Sequence, residues 1–585
     1  MLNRVRLQQA DFDAVIIGAG FSGMYMLHSL REQGLRVRVY EGGSNVGGTW
    51  YWNQYPGARC DTPSTHYSYS FLPELEQQWS WSERFPRQPE ILRYLNTVAD
   101  YLDLRRDIQF DTWVKSIEYN DETLLWQLTT HTDELITARY CISGVGCLST
   151  PNLPKFAGIE RFKGEIYLSS RWPQEPVDFS GKRVGIIGTG ATGIQTIHEI
   201  SSQVQHLTVF QRTPNFVAPA GNHPLYEDDQ RAIKSHYREI REWDRNSECG
   251  VYDYKLINHV HALDMTPDQR EQALEAAWNK GGFAMLFVFK EITSNRQVNE
   301  IVADFFRRKI AQIVKDPETA RKLMPTDYPF ATKRMPICDG YYEIFNQENV
   351  DLVDVRETPI IEITENGLRT SDHEYQFDIL ICATGFDAIT GSLLRLNIRG
   401  RNGLSLNEKW AEAPHTYLGI QTHGFPNFFM INGPGSPSIL INAPVAIEQH
   451  VEWIRDCILH LDQQKLLGIE PEREAELAWF DRVCSLAAKT LHYEADSWAV
   501  GANIPGKPRL YLAYLSGIAD YRRLCNQITK DNYQGFIQHT PKQPELVMAE
   551  KTKLPKAKAR HKTSLPHAAQ VVVPSPALAD SEFIS

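Results

Sequence analysis

Between Asp13 and Glu41 the chain runs a short β-branched strand directly into glycines, and this handover restricts the fold more than any other stretch. Val15 to Ile17 has the continuous apolar character of a parallel strand buried on both faces. Gly18, Gly20 and Gly23 follow as GxGxxG. In that pattern the first glycine makes a tight turn and the second lets the backbone approach a pyrophosphate. The third lets the next helix pack close to the sheet. Met24, Leu27 and Leu30 give that helix an apolar face, and its N-terminal N–H groups suit an anion. A second strand, Val37 to Tyr40, ends in Glu41, an acid placed for ribose hydroxyls. Together these features predict a dinucleotide-binding α/β unit.

The design recurs at Lys182 to Arg212. Arg183 to Ile187 reads as a strand, Gly188-Thr189-Gly190-Ala191-Thr192-Gly193 is a second GxGxxG, and a helix and the strand His206 to Phe210 follow. This second strand ends in Gln211-Arg212-Thr213 where the first ends in an acid. Arginine there favours a 2′-phosphate, so the second nucleotide is expected to be NADPH. The expected fold class is α/β, with two dinucleotide-binding, Rossmann-like domains and a helical insertion in the second.

The remaining organisation follows from periodicity and turn residues. After Glu41, Gly47 and Gly48 permit close approach to a flat ligand, Trp50, Trp52 and Tyr55 can wall it, and Arg59 and Asp61 are charges in an aromatic loop. Pro89 to Leu104 has helical apolar spacing, and Ile108 to Tyr140 alternates as an antiparallel meander. Tyr140 to Ser149 reads as a strand ending in a glycine turn that returns to the first nucleotide loop. The expected domain boundaries are 1–150 and 386–540 for the first dinucleotide-binding domain, with a linker at 151–181. The NADP-binding domain covers 182–220 and 326–385, with the helical insertion at 221–325. Residues 541–585, rich in Lys, Ala and Pro without periodicity, are expected to be a disordered tail.

A net charge of −11 argues against nucleic acid as a partner. Nine cysteines without a CxxC pair suggest free thiols. No run of about eighteen apolar residues marks a membrane span. A cytoplasmic monomer is the expectation.

Several of these stretches together resemble the class I Baeyer–Villiger monooxygenases. The specific parts are Gly-Gly-Thr-Trp-Tyr-Trp at 47–52, Pro-Gly-Ala-Arg-Cys-Asp at 56–61, the paired glycine loops, and Lys333-Arg334. Ala-Thr-Gly-Phe-Asp at 383–387 and the loop from Ser497-Trp498 to Arg509 complete the set. The family fingerprint FxGxxxHxxxWP falls on Phe162, Gly164, Leu168, Trp172 and Pro173, with leucine at the histidine position.

The resemblance implies FAD held by Gly18, Gly20, Phe21, Gly23, Glu41, Thr49, Trp50, Arg59, Asp61, Tyr67 and Val114. It implies NADPH held by Gly188 to Gly193, Gln195, Arg212, Thr213 and Lys333, with Arg334 and Trp498 also at the cofactors. Arg334 would be catalytic with Asp61 as its partner, and the Trp498 loop would close over NADP and substrate. The implied reaction inserts one oxygen atom of dioxygen beside the carbonyl of a small lipophilic ketone, giving an ester or lactone. An arginine suits it because the cation persists at working pH and can hold developing negative charge in a dry site. Three rivals stand beside this reading: a flavin monooxygenase acting on nitrogen or sulfur, a disulfide reductase, and a flavin-binding protein without turnover. The reductase needs a cysteine pair near the first loop, where Cys60 stands alone.

Overall fold

A computed structural model describes residues 10–251, 260–437, 439 and 441–541. Strands β1 (Phe12–Ile17), β2 (Val37–Tyr40), β3 (Ile108–Gln109), β4 (Val114–Asn120), β5 (Leu125–Thr130) and β6 (Leu135–Ser143) come first. β1 pairs in parallel with β2 and with β6, while β4, β5 and β6 form the antiparallel meander. The last meander strand is therefore also a strand of the nucleotide sheet. Alternate β1 side chains enter different cores. Ala14 and Ile16 pack with Met26, Leu27 and Leu30 of the helix Phe21–Arg31, while Val15 and Ile17 pack with Ile117, Trp126 and Phe428. Burial on both faces explains the unbroken apolar run.

The second sheet is built from β7 (Glu165–Leu168), β8 (Arg183–Ile187), β9 (His206–Gln211) and β10 (Val350–Asp354), then β14 (Ile379–Cys382). A small antiparallel sheet, β11 (Ile360–Thr364), β12 (Gly367–Thr370) and β13 (Glu374–Gln376), precedes β14. The strand order of the second sheet is β10-β9-β8-β14-β7. One face packs Val184 and Ile186 against Ile194 and Ile197 of the helix Ala191–Ile200, and the other packs Ile187 and Leu380 against Ile363 and Leu368 of the small sheet. The stretch 151–181, expected to be a linker, thus contributes the edge strand β7, paired Ile379↔Glu165 to Cys382↔Leu168. Its short length and charged neighbours hid the strand, because only the pairing partner far along the chain defines it.

The chain returns to the first sheet through β15 (Ile398–Arg399) and β16 (Phe428–Met430), which pair with β4 and β6. β17 (Gly468–Pro471) and β18 (Phe536–His539) form a separate ribbon. The helix expected at 89–104 spans Gln88–Tyr101 and ends early, because Asp103 turns left-handed at φ 47°. Residues 221–325 carry the helices Glu227–Asn246, Pro267–Lys280, Arg296–Ile313 and Pro317–Leu323 around their own core of Leu274, Met285, Phe305 and Phe306. The tail expected at 541–585 lies, after Pro541, outside the described residues. No helix among the described residues is long and apolar enough to cross a membrane, and all nine cysteines are free.

Candidate active site

The two glycine loops are built alike. A Cβ on Gly18 would come within 2.9 Å of the Gly144 carbonyl oxygen, and one on Gly188 within 2.5 Å of the Ala383 oxygen. Their φ values are +97° and +111°. Gly23 and Gly193 lie so close to the preceding turn that a Cβ would sit 1.8 and 2.1 Å from the Gly18 and Gly188 oxygens. Each loop is thus closed by the turn that follows a neighbouring strand, β6 in one sheet and β14 in the other. The helices that follow, capped by Gly20 and Gly190, have no side-chain cap and no acid in the first turn. Their free N–H groups and positive dipole ends are left for an anion. Beside Gly190 a side chain would meet nothing within 4 Å, so that side of the loop has room for a pyrophosphate.

At the first loop, Glu41 is buried and its carboxylate accepts from the Ala19 N–H at 2.7 Å and the Gly43 N–H at 2.8 Å. Burial raises its pKa, and those backbone hydrogen bonds act against the rise. The acid therefore sits against the loop backbone at the end of β2, with oxygen lone pairs to spare for a ribose. Trp50 donates to the Tyr67 hydroxyl at 3.2 Å, and Phe21 meets Tyr67 edge-on at 5.2 Å, so these three form one aromatic wall. Thr49 is exposed and opens the short helix Thr49–Trp52. Val114 begins β4 next to Trp113, whose indole covers Gly42. Arg59, expected at the cofactor, pairs with Glu83 at 2.8 Å and donates to the Phe85 carbonyl. Its carbonyl accepts from Gln195, whose own carbonyl accepts from the Tyr55 hydroxyl at 2.9 Å, so this loop clasps the second nucleotide helix. Sequence reading had no signal for that clasp beyond the aromatic character of Tyr55.

At the second loop, Thr189 donates to the Thr213 carbonyl at 3.1 Å. Arg212 is exposed, and the Lys333 ammonium lies over the Tyr328 ring at 4.6 Å. Burial first and the nearby Arg212 second push the Lys333 pKa down to about 8. Among the described residues neither cation forms an ion pair. Two adjacent cations, neither in an ion pair among the described residues, are an arrangement that a phosphate can complete.

Arg334 lies beyond both nucleotide loops in sequence and reaches back to Asp61 of the first domain. Its Nε and one terminal nitrogen donate to the two Asp61 oxygens, each at 2.7 Å. The other terminal nitrogen donates to the Ile439 carbonyl at 3.1 Å, and the guanidinium lies over the Phe283 ring at 5.1 Å. Burial alone would lower its pKa, but the Asp61 carboxylate outweighs this and holds the cation above its ordinary range. Ile439 packs with Cys147, Trp498 and Tyr511 in an apolar cluster. The loop carrying Trp498 is docked: Asn503 donates to the Phe386 carbonyl at 2.8 Å, and Lys507 to Asp387 and the Ala388 carbonyl, both at 2.6 Å. Phe283 and the Ile439 carbonyl were not legible in the sequence, because both come from segments far from either motif.

Residues 13–220 match the model of a family described as flavin-binding monooxygenase-like. A Baeyer–Villiger monooxygenase of Pseudooceanicola batsensis is 46% identical over 90% of this chain and 96% of its own length. The phenazine N-monooxygenase PhzNO1 of Lysobacter antibioticus is 44% identical over 91% of this chain and 98% of its own. The crystal structure of OTEMO in complex with FAD and NADP superposes with a TM-score of 0.87 at 40% identity, covering 91% of this chain and all of that one.

The chain belongs to the Baeyer–Villiger monooxygenases. It is an NADPH-consuming, FAD-dependent flavin monooxygenase that inserts one oxygen atom of dioxygen next to a ketone carbonyl to give an ester or lactone. In this Baeyer–Villiger monooxygenase the fingerprint leucine, Leu168, lies half-buried at the end of β7, beside Cys382 and the turn that closes the second glycine loop.

Proposed function

We propose that Arg334 is the catalytic residue, that Asp61 orients it, and that the substrate is a small lipophilic ketone. The observation that carries this reading is the bidentate Arg334–Asp61 pair, facing an apolar cluster of Ile439, Trp498, Tyr511 and Cys147. When bound, FAD supplies the oxygen-activating chemistry and NADPH the reducing equivalents. The residues of each glycine loop hold the two nucleotides, with Glu41 on a ribose and Arg212 and Lys333 on the 2′-phosphate. Arg334 has five N–H donors. Asp61 and Ile439 engage three, leaving two for the negative charge that develops on the substrate oxygen. A planar, permanently charged guanidinium held in place stabilises that charge without reorganising during the reaction. Closure of the Trp498 loop over bound nucleotide and substrate would shield this partly exposed pair from water and strengthen the same interaction.

The test is Arg334→Ala. Ester formation is expected to vanish while NADPH still reduces the flavin anaerobically, because that reduction does not use the guanidinium. Ester yield near the unaltered rate would remove Arg334 from the mechanism. The phenazine N-oxygenating relative favours a second reading, oxygenation of an aromatic nitrogen. Product masses from parallel panels of ketones and N-heterocycles, read for a gain of one oxygen, separate the two.

A further inference from the structure

We propose that Phe283, from the helical insertion, is a positioning residue that holds the plane of the Arg334 guanidinium. This rests on the reading of Arg334 as catalytic. Asp61 and the Ile439 carbonyl grip the guanidinium along its edges, and both contacts lie in its plane. Edge contacts of this kind leave the group free to rock about the line joining them. The Arg334 Cζ lies over the Phe283 ring, 5.1 Å from its centroid. The negative face of an aromatic ring attracts a cation, and the attraction strengthens where water is excluded. Attraction toward the ring at that place therefore opposes rocking and directs the two uncommitted N–H groups to one side.

The local backbone explains why the ring stays where it is. Phe283 lies in the tight turn Gly282–Phe287 that follows the helix Pro267–Lys280. Gly281 and Gly282 have φ values of +70° and +63°. A Cβ on Gly281 would come within 2.7 Å of the Ala220 carbonyl, and the Gly282 N–H donates to the Pro219 carbonyl at 2.9 Å. The turn is thus pressed onto backbone 219–221, at the end of the first part of the NADP-binding domain. The neighbours Ala284 and Met285 are buried in the insertion's core, and Phe283 is half-buried at its margin. By this route the insertion, which supplies no nucleotide motif, takes part in the chemistry: it carries the third support of the cation. Misplacing such a group by a fraction of an ångström lowers rate without lowering affinity for either nucleotide.

The experiment compares the FAD-loaded protein with Phe283→Leu, Phe283→Met, Phe283→Tyr and Arg334→Ala. Ester formed per NADPH consumed is measured with two ketones of different shape, alongside the rate of anaerobic flavin reduction by NADPH. Independently of turnover, the FAD-loaded proteins without NADPH are treated with phenylglyoxal, and modification of the Arg334 peptide is read by mass spectrometry. Phe283→Leu and Phe283→Met are expected to lower ester per NADPH about three- to tenfold with both ketones, leave flavin reduction within about twofold, and raise Arg334 modification several-fold. Phe283→Tyr, which keeps the aromatic face, is expected to stay within about twofold of the unaltered protein in all three. Unchanged Arg334 modification in both aliphatic variants overturns the proposal, as does a loss confined to one ketone, which would make Phe283 a substrate contact. If Arg334→Ala still makes ester, the reading of Arg334 itself fails. If Arg334→Ala is inactive and the aliphatic variants are normal, only the role of Phe283 fails.

Discussion

Raising the pH past about 8 is expected to weaken NADPH binding and leave NADH binding unchanged. Lys333 is half-buried over Tyr328, and burial together with Arg212 brings its pKa down to about 8, with Asp496 and Asp327 acting the other way. Below that pH the free enzyme offers the 2′-phosphate two cations, and above it only Arg212. The phosphate has its second ionisation near pH 6, so it remains a dianion across the window and does not confound the trend. One proton on Lys333 is required for the tight complex. The dissociation constant then scales as one plus the ratio of neutral to charged lysine. That ratio is about 0.1 at pH 7 and about 10 at pH 9, so binding weakens about tenfold between them. The assay is anaerobic flavin reduction against NADPH concentration at several pH values and constant ionic strength, with NADH as the control that lacks the phosphate. Lys333→Met should bind NADPH weakly at every pH and lose the slope. A dissociation constant for NADPH that stays within about twofold from pH 7 to 9 in the unaltered protein would refute the reasoning, as would a tenfold change persisting in Lys333→Met.

Arg212→Ala should raise the Michaelis constant for NADPH about tenfold or more with little change for NADH, since a charge-assisted phosphate contact is worth roughly 1.5–3 kcal/mol; equal use of both nucleotides by the unaltered protein would contradict it. Asp61→Asn keeps the shape of the Arg334 contact and removes its charge. The side chains are 24% and 34% exposed, so solvent screens the pair and the loss is placed near the low end, about tenfold in ester formation, read against unchanged anaerobic flavin reduction. Leu168→His should leave oxygenation present and shift mainly the ratio of ester to hydrogen peroxide per NADPH. A neutral hydrogen bond gained at the end of an edge strand is worth roughly 0.5–1.5 kcal/mol, a several-fold effect. A natural protein that makes only peroxide, restored by histidine, would show leucine to be disabling.

Both nucleotide loops were legible without coordinates because their chemistry is local. A strand, a glycine turn and a helix N-terminus lie within a few residues of each other, and the sign of the group ending the next strand distinguishes Glu41 from Arg212. The alternation of the meander and the amphipathic spacing of the insertion helices are local in the same way. The edge strand β7 was not legible, since a strand of four residues is defined by its partner β14, more than two hundred residues further on. The same holds for Arg334. By itself it reads as a surface cation, and resemblance alone marked it and Asp61 as a pair. Its supports come from Asp61 in the first domain, Ile439 in the returning chain and Phe283 in the insertion, segments with no sequence pattern in common. Arg59 is a similar case: its ion pair with Glu83, twenty-four residues further on, has no signal in the loop motif that carries it. The sequence by itself determined the elements with local periodicity and the two glycine turns, whose bonds close over a few residues. Only the tertiary structure decided which charges are matched within the protein and which remain for ligands, because an ion pair depends on distance in space and not on spacing along the chain.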